Sequence, residues 1–110
     1  MTTLASLMPD HVSADEKAMA VKLIERILKD DGNVISINDG EEWTVYRSRD
    51  AETIVAALAT TDHDIVAVRD GDGEKLGSFV LIWGNSGEEL ISDHTANDYC
   101  ESIWMNVVDP

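Results

Sequence analysis

One stretch constrains this chain more than any other: Lys75-Leu76-Gly77-Ser78-Phe79-Val80-Leu81-Ile82-Trp83. Phe79 to Trp83 is unbroken apolar sequence, the longest such run among the predicted strands. A short apolar run between turn signals reads as a strand covered on both faces. Asp70-Gly71-Asp72-Gly73 stands before it and Gly84-Asn85-Ser86-Gly87 after it, so both ends are punctuated. An inner strand of a sheet is the expectation, and the other elements must be arranged to cover it.

The rest of the chain supplies that cover. Met1 to Val12 has no periodicity and contains Pro9, so residues 1–12 read as a loosely held arm. Ser13-Ala14-Asp15-Glu16 is a capping box, in which the serine oxygen serves an early amide and Glu16 reaches back. Ala20, Leu23, Ile24, Ile27 and Leu28 then form one helical stripe, and Gly32 is placed to end that helix. Asn33 to Arg49 reads as a hairpin turning at Asn38-Asp39-Gly40. A three-residue loop with Gly40 left-handed would gather Ile35, Ile37, Trp43 and Val45 on one face, so that register is preferred to a two-residue loop. Val34, Ser36, Glu42, Thr44 and Tyr46 would share the more solvated face. Asp50 can cap a second helix buried through Ile54, Val55, Ala57 and Leu58. Ile65 to Arg69 is a β-branched strand, Glu89 to Ser92 a short one, and a last helix begins near Thr95.

The predicted order is α-β-β-α-β-β-β-α. It implies an α+β fold, a largely antiparallel sheet of about five strands with three helices packed mainly on one face. The open sheet face is expected to be polar. Residues 1–110 form one domain by size.

Charge sets the functional classes. Twenty-two acids face eight bases, for a net charge of -14. Bare nucleic acid and anionic membranes both demand a basic footprint, so direct binding to either is not expected. A basic protein or nucleoprotein partner is favoured, or a salt-adapted surface with no ligand at all. Cys100 is the only cysteine, so no internal disulfide can form and a reducing, cytoplasmic setting is expected.

The sequence offers no convincing catalytic constellation. Asp70-Gly71-Asp72-Gly73-Glu74 resembles the start of a calcium loop, but the sixth and twelfth places hold Lys75 and Leu81 instead of glycine and glutamate. An acidic hairpin turn is the better reading. His94 and Cys100 could form a base and nucleophile, yet no third group or oxyanion element accompanies them. His63, between Asp62 and Asp64, is a candidate pH-sensitive position. No metal, no cofactor and no enzymatic activity are expected.

What remains is the placement of acids. They fall on turns and helix starts: Asp39, Glu41 and Glu42; Asp70, Asp72 and Glu74; Glu88 and Glu89; Asp93, Asp98 and Glu101. A folded scaffold would hold such carboxylates at fixed positions, where they could occupy arginines that otherwise grip phosphates. The first three groups, through Glu89, are the candidate partner-binding residues. If a helix crosses back over the sheet between the second and third strands, the tips bearing Asp39 to Glu42 and Glu88 to Glu89 share one end. In size, charge and compact mixed architecture the chain resembles the small acidic anti-defence proteins of phages and plasmids, the anti-CRISPR and anti-restriction DNA mimics. That resemblance implies a defence complex with a basic nucleic-acid channel as partner, and inhibition by occupancy. An immunity-type protein that neutralises a basic toxin would use the same electrostatics.

Overall fold

The structure, a computed structural model, describes residues 3–84 and 87–108, without the side chain of Glu88. The order is α1 (Ala14–Leu28), β1 (Val34–Asn38), β2 (Trp43–Ser48), α2 (Ala51–Ala56), β3 (His63–Arg69), β4 (Lys75–Ile82), β5 (Ile91–His94) and α3 (Asp98–Val108), with short 3₁₀ turns at Leu4–Leu7 and Gly87–Glu89. The strands form one antiparallel sheet in the order β2-β1-β3-β4-β5. This is the expected α+β architecture, with the apolar run of β4 inside the sheet.

The three helices cover a single face. Their stripes meet Ile35, Ile37, Val66, Val68, Phe79 and Leu81, all fully buried, in one core cluster. β4 is therefore covered on one face only, contrary to the two-faced cover its apolar run suggested. Phe79 and Leu81 point inward, while Val80 is half-buried and Ile82 is exposed on the open face. The open face is correspondingly less polar than expected, because Ile65, Ala67, Val80 and Ile82 line it alongside Trp43 and Tyr46.

Local signals mostly act where the sequence puts them. Ser13 Oγ accepts from the Glu16 amide at 3.2 Å, and Asp50 Oδ1 accepts from the Glu52 amide at 3.2 Å. Glu16, however, does not simply close its own capping box: one oxygen takes the Ser13 hydroxyl and the other takes the Gly84 amide at 2.9 Å, fastening α1 to the β4–β5 connection. The last helix is capped by Asn97, whose Oδ1 accepts from the Cys100 amide at 2.8 Å, so it starts at Asp98 and not near Thr95. β5 starts two residues later than expected because Gly87–Glu89 turns first. Residues 3–12, expected as a loosely held arm, include Met8 and Val12 in buried positions; Met8 joins the core, and Leu4 and Leu7 pack against it.

The first hairpin departs from both sequence registers. Its tip has four residues: the Asp39 amide donates to Glu42 O, and Asp39 Oδ1 accepts from the amides of Glu41 and Glu42, each at 2.9 Å. Asn38 faces Trp43, Ile37 faces Val45 and Ile35 faces Ser48, so β2 is bulged twice against β1. Each bulge adds a residue and reverses the facing of the residues beyond it. Val45 stays in the core with Ile35 and Ile37, but Trp43 is turned to the open face, 42% exposed.

Candidate functional site

Strand directions sort the loops into two ends. β1 and β4 run the same way, and β2, β3 and β5 run opposite to them. At the upper end, where β1 and β4 finish, lie the 39–42 tip, the connector before β3, the β4–β5 connection and the start of α1. A Cβ on Gly87 would fall 2.8 Å from Asp15 O, which shows how closely α1 begins against that connection. At the lower end lie the 70–74 turn, the entry to β1 and the start of α3.

This arrangement divides the eight sequence candidates. Asp39, Glu41, Glu42 and Glu89 belong to the upper end, and the side chain of Glu88 lies outside the described residues. Asp70, Asp72 and Glu74 belong to the lower end, about 24 Å away along the eight residues of β4. A compact partner that meets one group does not meet the other. The two upper tips are themselves separated by β3, so three strand spacings, about 14 Å, lie between them. Two acids that sequence reasoning passed over stand in the same region: exposed Asp62 ahead of β3, whose carbonyl accepts from the Trp83 amide at 3.0 Å, and exposed Asp15 at the start of α1. Only the topology reveals their company, since they are far from the tips in sequence.

Several upper-end groups are held in place. Asp39 has its carboxyl below the ordinary carboxylate range, because the amides of Glu42 and then Glu41 donate to it. Thr61 Oγ1 donates to Asp39 O at 2.6 Å, tying the tip to the connector. His63 opens β3 and its ring lies against Gly40, since a Cβ there would come 2.6 Å from Nε2. Behind these, Asp64 is fully buried. Its Oδ2 accepts from the Ala59 amide and from Trp83 Nε1, each at 2.8 Å, while Oδ1 has no partner among the described residues. Burial pushes this carboxyl up, against the lowering effect of those two donors.

The lower-end turn spends its first acid on the backbone. Asp70 Oδ1 accepts from the amides of Asp72 at 2.9 Å and Glu74 at 3.0 Å. No three His, Cys, Asp or Glu groups among the described residues are grouped to hold a metal ion. Cys100 is fully buried, with Sγ against the backbone of β4, and burial pushes its thiol up. The His94 ring lies between Phe79 and Trp104, at centroid separations of 6.2 and 6.0 Å and tilted to them by 47° and 37°, and its Nδ1 lies 3.0 Å from Thr95 O. No hydrogen bond joins His94 to Cys100 among the described residues.

No protein family, curated protein sequence or solved structure matches this chain.

A second feature lies on the open face. A groove of about 300 Å³ runs over β1, β2, β3 and β4, walled by Trp43 and Tyr46 and edged by Arg47, Arg69 and Lys75. Four of the eight bases belong to α1 and its C-terminal end, as Lys17, Lys22, Arg26 and Lys29; the other four fall at the lower end of the sheet. Arg49 donates to the carbonyls of Asn33 and Leu28 and is structural, which leaves three for the groove. The sequence hid this grouping because the β2 bulges decide which way Trp43 and Arg47 face. The usable signal was three bases close to strand ends that an antiparallel order brings together.

Proposed function

We propose that this chain is a non-enzymatic binding protein that sets its acidic upper end against a basic, nucleic-acid-binding surface of a partner and excludes nucleic acid from it. The observation that carries the reading is convergence: carboxylates from the 39–42 tip, the connector at Asp62, the turn at Glu89 and the start of α1 share one end of the molecule. Carboxylates fixed on ordered turns lose less freedom on meeting a guanidinium than those of a flexible acidic tail. Complementary charge would also speed encounter with a cationic surface. The DNA-mimic form of this function, an anti-CRISPR or other anti-defence inhibitor, accords with the size and charge. The buried lone thiol of Cys100 accords with a reducing cytoplasm.

The test uses fluorescent double-stranded DNA bound to an arginine-rich peptide. The chain should displace the DNA. Two triple reversals of equal net charge separate place from total charge: Glu41, Glu42 and Glu89 to lysine at the upper end, and Asp72, Glu74 and Glu101 to lysine elsewhere. The upper-end variant should lose about tenfold in displacement, and the other should stay near wild type. Equal losses would reduce the effect to net charge and defeat the acidic-end reading. No displacement by the native chain would favour a salt-adapted surface.

A further inference from the structure

We propose that the groove on the open sheet face is a binding site for a mononucleotide, an anionic phosphate joined to a planar ring. The inference is independent of the acidic end, because it rests on the cations and aromatics that face the other way.

The cations are unexpectedly unneutralised. In a chain with 22 acids and 8 bases, every base could have a carboxylate partner. Among the described residues the only ion pair joins Arg26 to Asp30, at 3.3 Å. Arg47, Arg69 and Lys75 border the same groove with no such partner among those residues, although the acidic 70–74 turn adjoins them. That turn uses Asp70 on its own amides. Arg69 Nη1 donates to Gly73 O at 2.8 Å, which fixes one guanidinium at the groove edge while leaving its other donors available. Three cationic residues lining one groove are what a phosphate needs, with arginine offering a planar fork.

The aromatic side of the groove is equally specific. Trp43 is 42% and Tyr46 is 71% exposed, both large for aromatic residues of a small domain. One bulge, between Trp43 and Val45, turns Trp43 outward; the second, between Val45 and Ser48, contains Arg47 at φ 44, in the left-handed region that favours glycine. A residue kept in such a conformation is a pointer to function when a site lies beside it. The Arg47 amide donates to Ser36 Oγ at 2.9 Å, so the Ser36 hydroxyl proton remains free to donate into the groove.

The groove is also graded along the strands. Trp43 pairs with Asn38, which in turn pairs with Ile65, near the upper end; Arg69 pairs with Lys75 at the lower end. A planar ring can lie over Ala67 against the aromatics, with its phosphate directed down towards the three cations. Stacking of a base on an aromatic side chain is tolerant of base identity. A polynucleotide is disfavoured: acidic turns stand beyond both ends of the groove, and the whole chain carries -14.

Calorimetry with adenosine monophosphate, adenosine and inorganic phosphate tests this. The nucleotide should bind at least about tenfold more tightly than either part, because only it engages both halves. Lys75→Ala, and Arg47→Asn, which tolerates the left-handed backbone, should each weaken the nucleotide about tenfold. Trp43→Ala should weaken the nucleotide and leave phosphate binding unchanged. The Glu41, Glu42 and Glu89 reversal should still bind the nucleotide, so a failure of the acidic-end reading is distinguishable from a failure here. Absence of binding at millimolar nucleotide would overturn the proposal. So would a nucleotide affinity indifferent to Lys75 and Arg47, or a short single-stranded oligonucleotide that binds the groove more tightly than the mononucleotide.

Discussion

Gly77→Ala probes the contact between β4 and α3 and, with it, the role of Cys100. Gly77 is buried on the core face of β4 with φ 145. A Cβ there would collide with Cys100 Sγ and lie 3.2 Å from Thr95 Cβ, so the methyl has no room unless α3 retreats. Overpacking of this kind costs about 1–3 kcal/mol. The backbone conformation adds about 1–3 kcal/mol for an L-residue. A total of about 2–6 kcal/mol is a large share of the roughly 5–15 kcal/mol that holds a typical domain. With about 4 °C lost per kcal/mol for a chain of this size, the melting temperature should fall by about 8–24 °C. Cys100→Ala removes the sulfur the methyl strikes. Alone it should cost about 1 kcal/mol through a small cavity. Combined with Gly77→Ala it should recover the steric part, a coupling of about 1–2 kcal/mol in a double-mutant cycle measured by urea unfolding. A Gly77→Ala chain within about 1 kcal/mol of wild type, or a cycle with no coupling, would refute the packing reasoning (both limits rest on the overpacking range). Partner displacement should survive Cys100→Ala, as befits a side chain that packs.

The upper end and the turns give three further outcomes. Asp64 has a raised folded pKa, so the folded state binds its proton more tightly than the unfolded state does; its stabilising effect is complete below the ordinary carboxylate pKa and is lost as pH rises through the folded value. Asp64→Asn can keep both accepted hydrogen bonds without ionising, so it should melt above wild type at neutral pH, with the gap closing as the pH approaches the ordinary aspartate value of 3.8. A gap that is constant with pH, or reversed, would contradict the burial argument. Asp39→Ala should expose the Glu41 and Glu42 amides to rapid hydrogen exchange while leaving β1 and β3 protected, and unchanged exchange there would show that Asp39 does not order the tip. Calcium titrated into the chain should give no micromolar-affinity heat, because Asp70 is engaged by amides and the turn lacks a bidentate twelfth carboxylate; a calorimetric site lost on Asp72→Ala would contradict this.

The element order was legible because periodicity and caps agreed along most of the chain. Ser13 and Asp50 cap where their side chains suggest, the α1 stripe buries Ala20, Leu23, Ile24 and Ile27, and β4 lies inside the sheet although only Phe79 and Leu81 of its apolar run enter the core. Faces and ends were harder. Both bulges of β2 lie in Thr44 to Ser48, where no sequence signal counts the extra residues, so Trp43 was assigned to the core and stands on the open face. Glu16 looked like a local cap and instead reaches Gly84, a contact that exists only once α1 lies beside the β4–β5 connection. The acidic end was half legible: shared hairpin ends follow from strand alternation, whereas Asp15 and Asp62 join through tertiary packing. The basic groove was not legible, because it needs strand order, bulge positions and the loss of Arg49 to structural bonds.

Amide chemical-shift mapping of the isotope-labelled chain, titrated with an arginine-rich peptide, tests the acidic-end proposal most directly. Shifts should concentrate at Gly40, Glu41, Glu42, Asp62 and Glu89, saturate together and fade as salt screens charges beyond about 8 Å. Shifts that centre on residues 70–75, or spread evenly over all exposed acids, would contradict it.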